Sequence, residues 1–183
     1  MSADEKQAIK VLATMLNDRE ISVEYVDHEY SKKFDYVIKG KITPLEDQNT
    51  YGLILCFIHD DEKLNIQGIK DKLSIMKKES AESAIIVYKN SMTASARKSL
   101  GTIDHKIEIF GICELQVNIT QHRLFPKHEK VPKNDALELE NKYKGKLPVL
   151  LSTDAASRYY DFKRGEYIRI TRKDGSIIYR IVK

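Results

Sequence analysis

The chain has 183 residues, 31 basic and 27 acidic side chains, a net charge of +4, and is 42% hydrophobic and 8% aromatic. That length and apolar share suit one ordinary domain or two small ones. A charged fraction of 32% with mixed signs argues against a disordered polyelectrolyte, and no apolar run approaches the roughly 18 residues a bilayer span needs. Met1-Ser2-Ala3-Asp4-Glu5 has no signal-peptide shape. Cys56 and Cys113 lie in apolar runs, where small packed thiols in a reducing intracellular compartment are expected. Residues 1–114 carry 16 Lys/Arg against 19 Asp/Glu, net −3, and residues 115–183 carry 15 against 8, net +7. The break points to two modules with different neighbours, 1–114 and 115–183.

Ser2 and Glu5 have capping-box spacing, and Ala8, Ile9, Leu12, Met15 and Leu16 then recur on one helical face. Residues 21–26 and 34–42 read as strands, and Pro44 with 46–49 as a loop. Leu53 to Ile58 is a continuous apolar run, which predicts a strand buried on both faces. Ile66, Ile69, Leu73 and Met76 then mark a helix. Residues 84–88 read as a second buried strand and 93–100 as a short helix that Gly101 can end in the left-handed conformation. Residues 106–110 read as a third strand. The alternation predicts right-handed crossovers and a mostly parallel sheet, an α/β module.

After Asn118 the texture changes, with three of the four prolines between residues 126 and 148. A helix is expected over 134–143, ended by Gly145. Residues 166–172 and 177–182 predict a closing hairpin with Asp174-Gly175 as a two-residue type I′ turn. In that register Ile168, Ile170, Ile177, Tyr179 and Ile181 share a buried face, and Arg169 lies opposite Arg180. Opposed like charges need a carboxylate between them. Either Asp154 or Glu166 supplies it, or an acidic partner does.

Asp60-Asp61-Glu62-Lys63 follows a buried strand, where a Mg²⁺-dependent nuclease could keep clustered carboxylates and a lysine. Four contiguous residues point their side chains apart, so a solvated turn is the plainer reading. His122 and His128 lack a zinc-ligand spacing. His28, His59 and His105 fall at strand edges or turns, and no Gly-rich phosphate loop occurs. No catalytic residue, metal site or cofactor is expected. Ser91-Met92-Thr93-Ala94-Ser95-Ala96-Arg97-Lys98 begins past a buried strand and opens a helix. Ser91, Thr93 and Ser95, with Arg97 and Lys98 one turn on, suit a backbone phosphate of DNA. The plainer reading is a helix cap.

The stretch from Ala84 to Leu100 resembles the strand and Thr-Pro-Ser-Ala helix start of the fifth subunit of eukaryotic RNA polymerases. Val117-Asn118-Ile119-Thr120, His122, Leu124 and Pro126-Lys127-His128 are similar to that family's junction into its C-terminal domain. The match continues through Leu147-Pro148, Asp154, Arg158-Tyr159, Lys163-Arg164-Gly165-Glu166, Ile170, Arg172 and Tyr179-Arg180. The last part also resembles the small archaeal RNA polymerase subunit that lacks the N-terminal module. The resemblance implies a non-catalytic, two-domain α+β/α/β subunit of a multisubunit DNA-dependent RNA polymerase. Residues 1–114 would be an α/β jaw domain with a nuclease-like sheet beside downstream duplex DNA. Residues 115–183 would be a small α+β assembly domain that docks on the largest subunit. It makes Ser91, Thr93, Ser95, Arg97 and Lys98 the DNA-proximal group. Asp154, Arg158, Tyr159, Lys163, Arg164, Arg169, Arg172 and Arg180 become the docking group.

Ala94 and Ala155 stand where the family has Pro, and the final turn is trimmed. Such trimming points to a polymerase of a large DNA virus, acting in the virion and in a replication compartment of the host cytoplasm; a divergent eukaryote, with a nuclear polymerase, is the alternative. Two rival readings are a Mg²⁺-dependent nuclease using Asp60, Asp61 and Lys63, and a free-standing DNA-binding module.

Overall fold

In a computed structural model the described residues are 1–25, 37–42, 52–103, 105–144 and 146–183. The loop at Pro44 and 46–49, His28, most of the strand expected before residue 38 and the Gly145 cap lie outside them. The chain divides into two compact units, Met1–Val117 and Asn118–Lys183.

The first unit opens with α1 (Ala3–Asp18). Its capping box forms as the spacing predicts: the Glu5 N–H donates to Ser2 Oγ at 3.2 Å and the Ser2 N–H to Glu5 Oε2 at 2.9 Å. Two free donors of the helix start are thereby satisfied. Strands β1 (Ile21–Tyr25), β2 (Ile38–Ile42), β3 (Gly52–His59), β5 (Ser83–Tyr88) and β7 (Lys106–Gly111) form one sheet in the order β1-β2-β3-β5-β7. The sheet is mixed rather than mostly parallel. β1–β2 and β2–β3 are antiparallel, and only β3–β5 and β5–β7 are parallel. The parallel half is where helices α2 (Ile66–Lys78) and α3 (Ala94–Leu100) supply crossovers. The antiparallel half is built from short strands that need none.

Alternation along the parallel strands sorts two apolar layers. Leu55, Phe57, Ala84 and Ile86 join Ile69 and Met76 of α2 and Ala96 of α3 in one buried cluster. Ile54, Cys56 and Ile85 point to the other face and are buried too, and burial pushes the Cys56 thiol up to about 12. Glu108, paired with Ile85 in register, receives both guanidinium nitrogens of Arg19 at 2.9 Å. This bidentate pair ties the end of α1 to the edge strand. Cys113, expected to pack, is exposed on a 3₁₀ turn. Gly101 ends α3 with φ −70°, not in the left-handed conformation.

The second unit contains β8 (Lys127–Lys130), α4 (Lys133–Tyr143), β9 (Val149–Leu150), α5 (Ala155–Tyr160), β10 (Tyr167–Thr171) and β11 (Ile177–Val182). Its sheet runs β8-β10-β11-β9, with only β11–β9 parallel. Leu150, Ile168, Ile170 and Val182 form its core, with Phe162 and Ile178 against them. α4 ends at Lys144, whose φ is 47°.

The closing hairpin departs from the expected register by one residue. Ile170 pairs with Ile178 and Arg169 with Tyr179. The Gly175 N–H bonds the Arg172 carbonyl at 3.0 Å and the Arg172 N–H bonds the Ser176 carbonyl at 2.9 Å. The loop therefore has three residues, and Gly175 at φ +81° takes the left-handed bulge position. Asp174 Oδ1 accepts from Ser176 N and Oγ at 2.9 and 2.6 Å, a local alternative to the type I′ turn. A one-residue slip turns every β11 side chain over. Ile178 and Val182, not Ile177, Tyr179 and Ile181, face the core.

Among the described residues no helix is long and apolar enough to cross a membrane.

Candidate functional site

The chemistry-bearing residues of the first unit gather where β3 and β5 end. A two-residue parallel ladder, β4 (Lys63–Leu64) with β6 (Ser91–Met92), clamps the chain leaving β3 to the chain leaving β5. The Thr93 N–H then donates to the Leu64 carbonyl at 3.0 Å. Thr93 Oγ1 accepts from the Ala96 N–H at 3.2 Å and lies 3.3 Å from Ser95 Oγ. Thr93 is thus the helix cap, and Ala94 at the first helical position leaves that cap intact. Buried Ala96 anchors α3, so Ser95, Arg97 and Lys98 face outward and are exposed, while Ser91 is half-buried.

The acidic turn does not assemble a metal site. Asp60 bonds Lys89 Nζ at 2.7 Å, and the same Nζ reaches Glu5 Oε1 at 2.5 Å. The bond to Lys89 holds the Glu5 carboxyl below its ordinary value, and the bonds to Asp60 and Glu5 raise Lys89. Asp61 points away, its side chain 79% exposed and 3.7 Å from His59 Nε2. Lys63 is held in β4. No three His, Cys, Asp or Glu side chains are grouped to hold a metal among the described residues. Lys89 was missed by sequence reasoning, though it lies two residues before Ser91. The residues around this turn line a polar cleft of about 720 Å³, with Glu5, Asp60, Asp61 and Asp71 on its wall. His59 is buried there, and Gly68 of α2 makes room for it: a Cβ at Gly68 would lie 2.8 Å from His59 Cε1.

In the second unit the eight expected docking residues separate into supports and exposed groups. Asp154 caps α5, accepting from the Ala156 N–H at 2.8 Å. Tyr159 is buried edge-to-face against Tyr160, with centroids 5.0 Å apart. Arg158 lies half-buried on α5. Lys163 pairs with Asp161, and its backbone N–H donates to Glu166 Oε2 at 2.9 Å. Arg180 donates to the Val149 carbonyl at 2.9 Å. Arg164, Arg169 and Arg172 are exposed. Arg169 and Arg180 do not oppose each other: Arg180 pairs with Ile168, and Arg169 lies between Tyr179 and Glu129. The carboxylate beside Arg169 is thus Glu129 rather than Asp154 or Glu166. Lys127 first, and Arg169 in addition, lower the Glu129 carboxyl.

Two further features escaped the sequence. His128 sits tilted in a row of rings, 4.9 Å from Phe125 and 6.5 Å from Tyr160 by centroid, and its Nδ1 is 2.8 Å from the Pro126 carbonyl. Burial holds its pKa below the ordinary value, against the Pro126 bond and the Asp154 charge. Exposed apolar side chains also concentrate here. Of the seven large ones among the described residues, Leu124, Leu137, Val149, Leu151 and Ile177 belong to this unit. Only the misread register hid Ile177; the others are isolated in sequence and show no periodicity.

Residues 117–182 match the family described as RNA polymerase Rpb5, C-terminal domain. The Dictyostelium discoideum DNA-directed RNA polymerases I, II, and III subunit rpabc1 is 33% identical over 175 residues, spanning 91% of this chain and 88% of that protein. The Caenorhabditis elegans subunit RPABC1 is 36% identical over 135 residues, 69% of this chain and 64% of that one. The putative DNA-directed RNA polymerase subunit 454R of Invertebrate iridescent virus 6 is 28% identical over 164 residues, 83% of this chain and 89% of that one.

Proposed function

The chain belongs to the Rpb5 family of DNA-directed RNA polymerase subunits, accessory subunits without catalysis of their own, and on that premise we propose how it serves the polymerase. The second unit is the assembly module and docks on the largest subunit. The first is a jaw beside downstream duplex DNA, where Ser95, Arg97 and Lys98 meet a backbone phosphate on a helix start shaped by Ser91 and Thr93. It acts wherever its polymerase acts: in the nucleus if cellular, in the virion and cytoplasmic replication compartment if viral.

The observation that carries the docking reading is the crowding of exposed apolar side chains into the unit that the family match spans. A 66-residue unit that leaves Leu124, Leu151 and Ile177 in water offers apolar area to a partner. Exposed Arg164, Arg169 and Arg172 of the same unit suit carboxylates on the partner, while Asp154, Arg158, Tyr159, Lys163 and Arg180 support its fold. The test is recovery of the tagged chain from its native source at moderate salt, with nuclease present. Large polymerase subunits should accompany it in stoichiometric amount. Their absence overturns the docking reading.

A further inference from the structure

The two edges of the second unit's sheet are managed in opposite ways. β8 forms one edge and reads Lys127-His128-Glu129-Lys130, the kind of charged strand that discourages another strand from pairing. At the other edge β9 covers β11 only at Ile181 and Val182. The Ile181 N–H bonds the Pro148 carbonyl and the Lys183 N–H bonds the Leu150 carbonyl, each at 3.0 Å, whereas the Val182 N–H bonds Glu166 on the β10 side at 2.9 Å. Odd-numbered residues of β11 therefore direct their backbone groups away from β10. At Ile177 and Tyr179 no strand meets those groups among the described residues. This open lane carries Ile177 and Tyr179, not lysines, and Ile177 is 43% exposed.

The geometry points to strand addition: an extended segment of another polymerase subunit pairs with the β11 edge at Ile177 and Tyr179 and lays apolar side chains on those two residues. Alternating N–H and C=O groups along a strand edge are matched best by a second extended main chain, and the flanking side chains then select what it carries. The occupant is a short extended segment, apolar at alternate positions. A nucleic acid offers neither the main-chain donors nor the apolar side chains. This inference rests on the docking reading above and names the surface that performs it.

Tyr179→Pro removes a backbone donor that faces the open lane and none that pairs with β10, a position where a sheet tolerates proline. Ile177→Glu places a charge on the same lane. Each tagged variant is to be expressed with the native polymerase, and large-subunit recovery compared with the unaltered chain. Recovery should fall at least tenfold while the free variants keep the melting behaviour of the parent. If Tyr179→Pro does not fold, Ile177→Glu decides alone. In the assembled polymerase the Ile177 and Tyr179 amides should exchange hydrogen at least tenfold more slowly than in the free chain. Full recovery of the folded variants, or unchanged exchange in an intact complex, overturns strand addition and leaves docking standing. Failure of the unaltered chain to recover polymerase overturns docking itself.

Discussion

Single side chains here are mostly committed to holding elements together, and two make sharp tests. An alanine methyl at Gly68 would meet His59 Cε1 at 2.8 Å and Leu64 Cδ1 at 3.3 Å. Gly→Ala inside a helix gains about 0.5–1 kcal/mol, but forcing a methyl into a filled site costs about 1–3 kcal/mol. The clash should win, and urea unfolding of Gly68→Ala should show net destabilisation. The double variant with His59→Ala should recover part of the loss relative to His59→Ala alone. His128 makes a pH test. Its native pKa lies below the ordinary value because the ring is buried, so the unfolded chain takes up the proton first. Its contribution is fully present above the ordinary histidine pKa of about 6.5 and is lost as pH falls from there to the native value. Urea midpoints followed from neutral to acid pH should drop less in His128→Phe than in the parent. Parallel curves would rule out the burial argument.

At the scale of elements, the cap of α3 and the register of the closing hairpin are open to measurement. Thr93→Ala removes the bond to the Ala96 N–H and should cost about 1 kcal/mol, with Thr93→Ser near neutral. In the hairpin, Ile178 packs on the core while Ile177 stands in water. Ile178→Ala should therefore destabilise by about 2 kcal/mol, and Ile177→Ala by less than about 0.5 kcal/mol. The two-residue turn predicts the reverse ranking. Long periodic elements were legible in the sequence: the capping box of α1, the 3-4-3 spacing of α2 and the apolar runs of β3 and β5 all stand where expected. The turn was not, because Asp-Gly serves a type I′ turn and a bulged three-residue loop equally well. Only tertiary pairing, with Arg169 set beside Glu129 on β8, decides between them. The candidate site was half legible for the same reason. Thr93 could be read as a cap from local chemistry, but the Glu5–Lys89–Asp60 bridge joins residues far apart in sequence, and the open β11 edge exists only once β9 has paired.

For the whole molecule, the net charge of +4 is a poor guide to the part proposed to meet nucleic acid. The proposed DNA-proximal group belongs to the acidic segment, net −3 over residues 1–114. Ser95, Arg97 and Lys98 supply few phosphate contacts, and the carboxylates Glu5, Asp60, Asp61 and Asp71 that line the cleft of the same unit disfavour further phosphates. Each cation that neutralises a phosphate releases counterions, so the logarithm of affinity falls against the logarithm of salt with a slope near −0.9 per contact. Two cations give the isolated chain a slope shallower than about −2, which amounts to weak, sequence-independent binding. Within an assembled polymerase those contacts add to many others, and Arg97→Ala with Lys98→Ala should flatten the salt slope of downstream DNA retention by about 2. Assembly should be unaffected, because neither residue lies in the unit proposed to dock. Fluorescence anisotropy of a labelled downstream duplex over a salt series reads both quantities. A steep slope for the isolated chain would favour a free-standing DNA-binding module. An unchanged slope for the double variant in the polymerase would remove α3 from the DNA path while leaving the docking surface untouched.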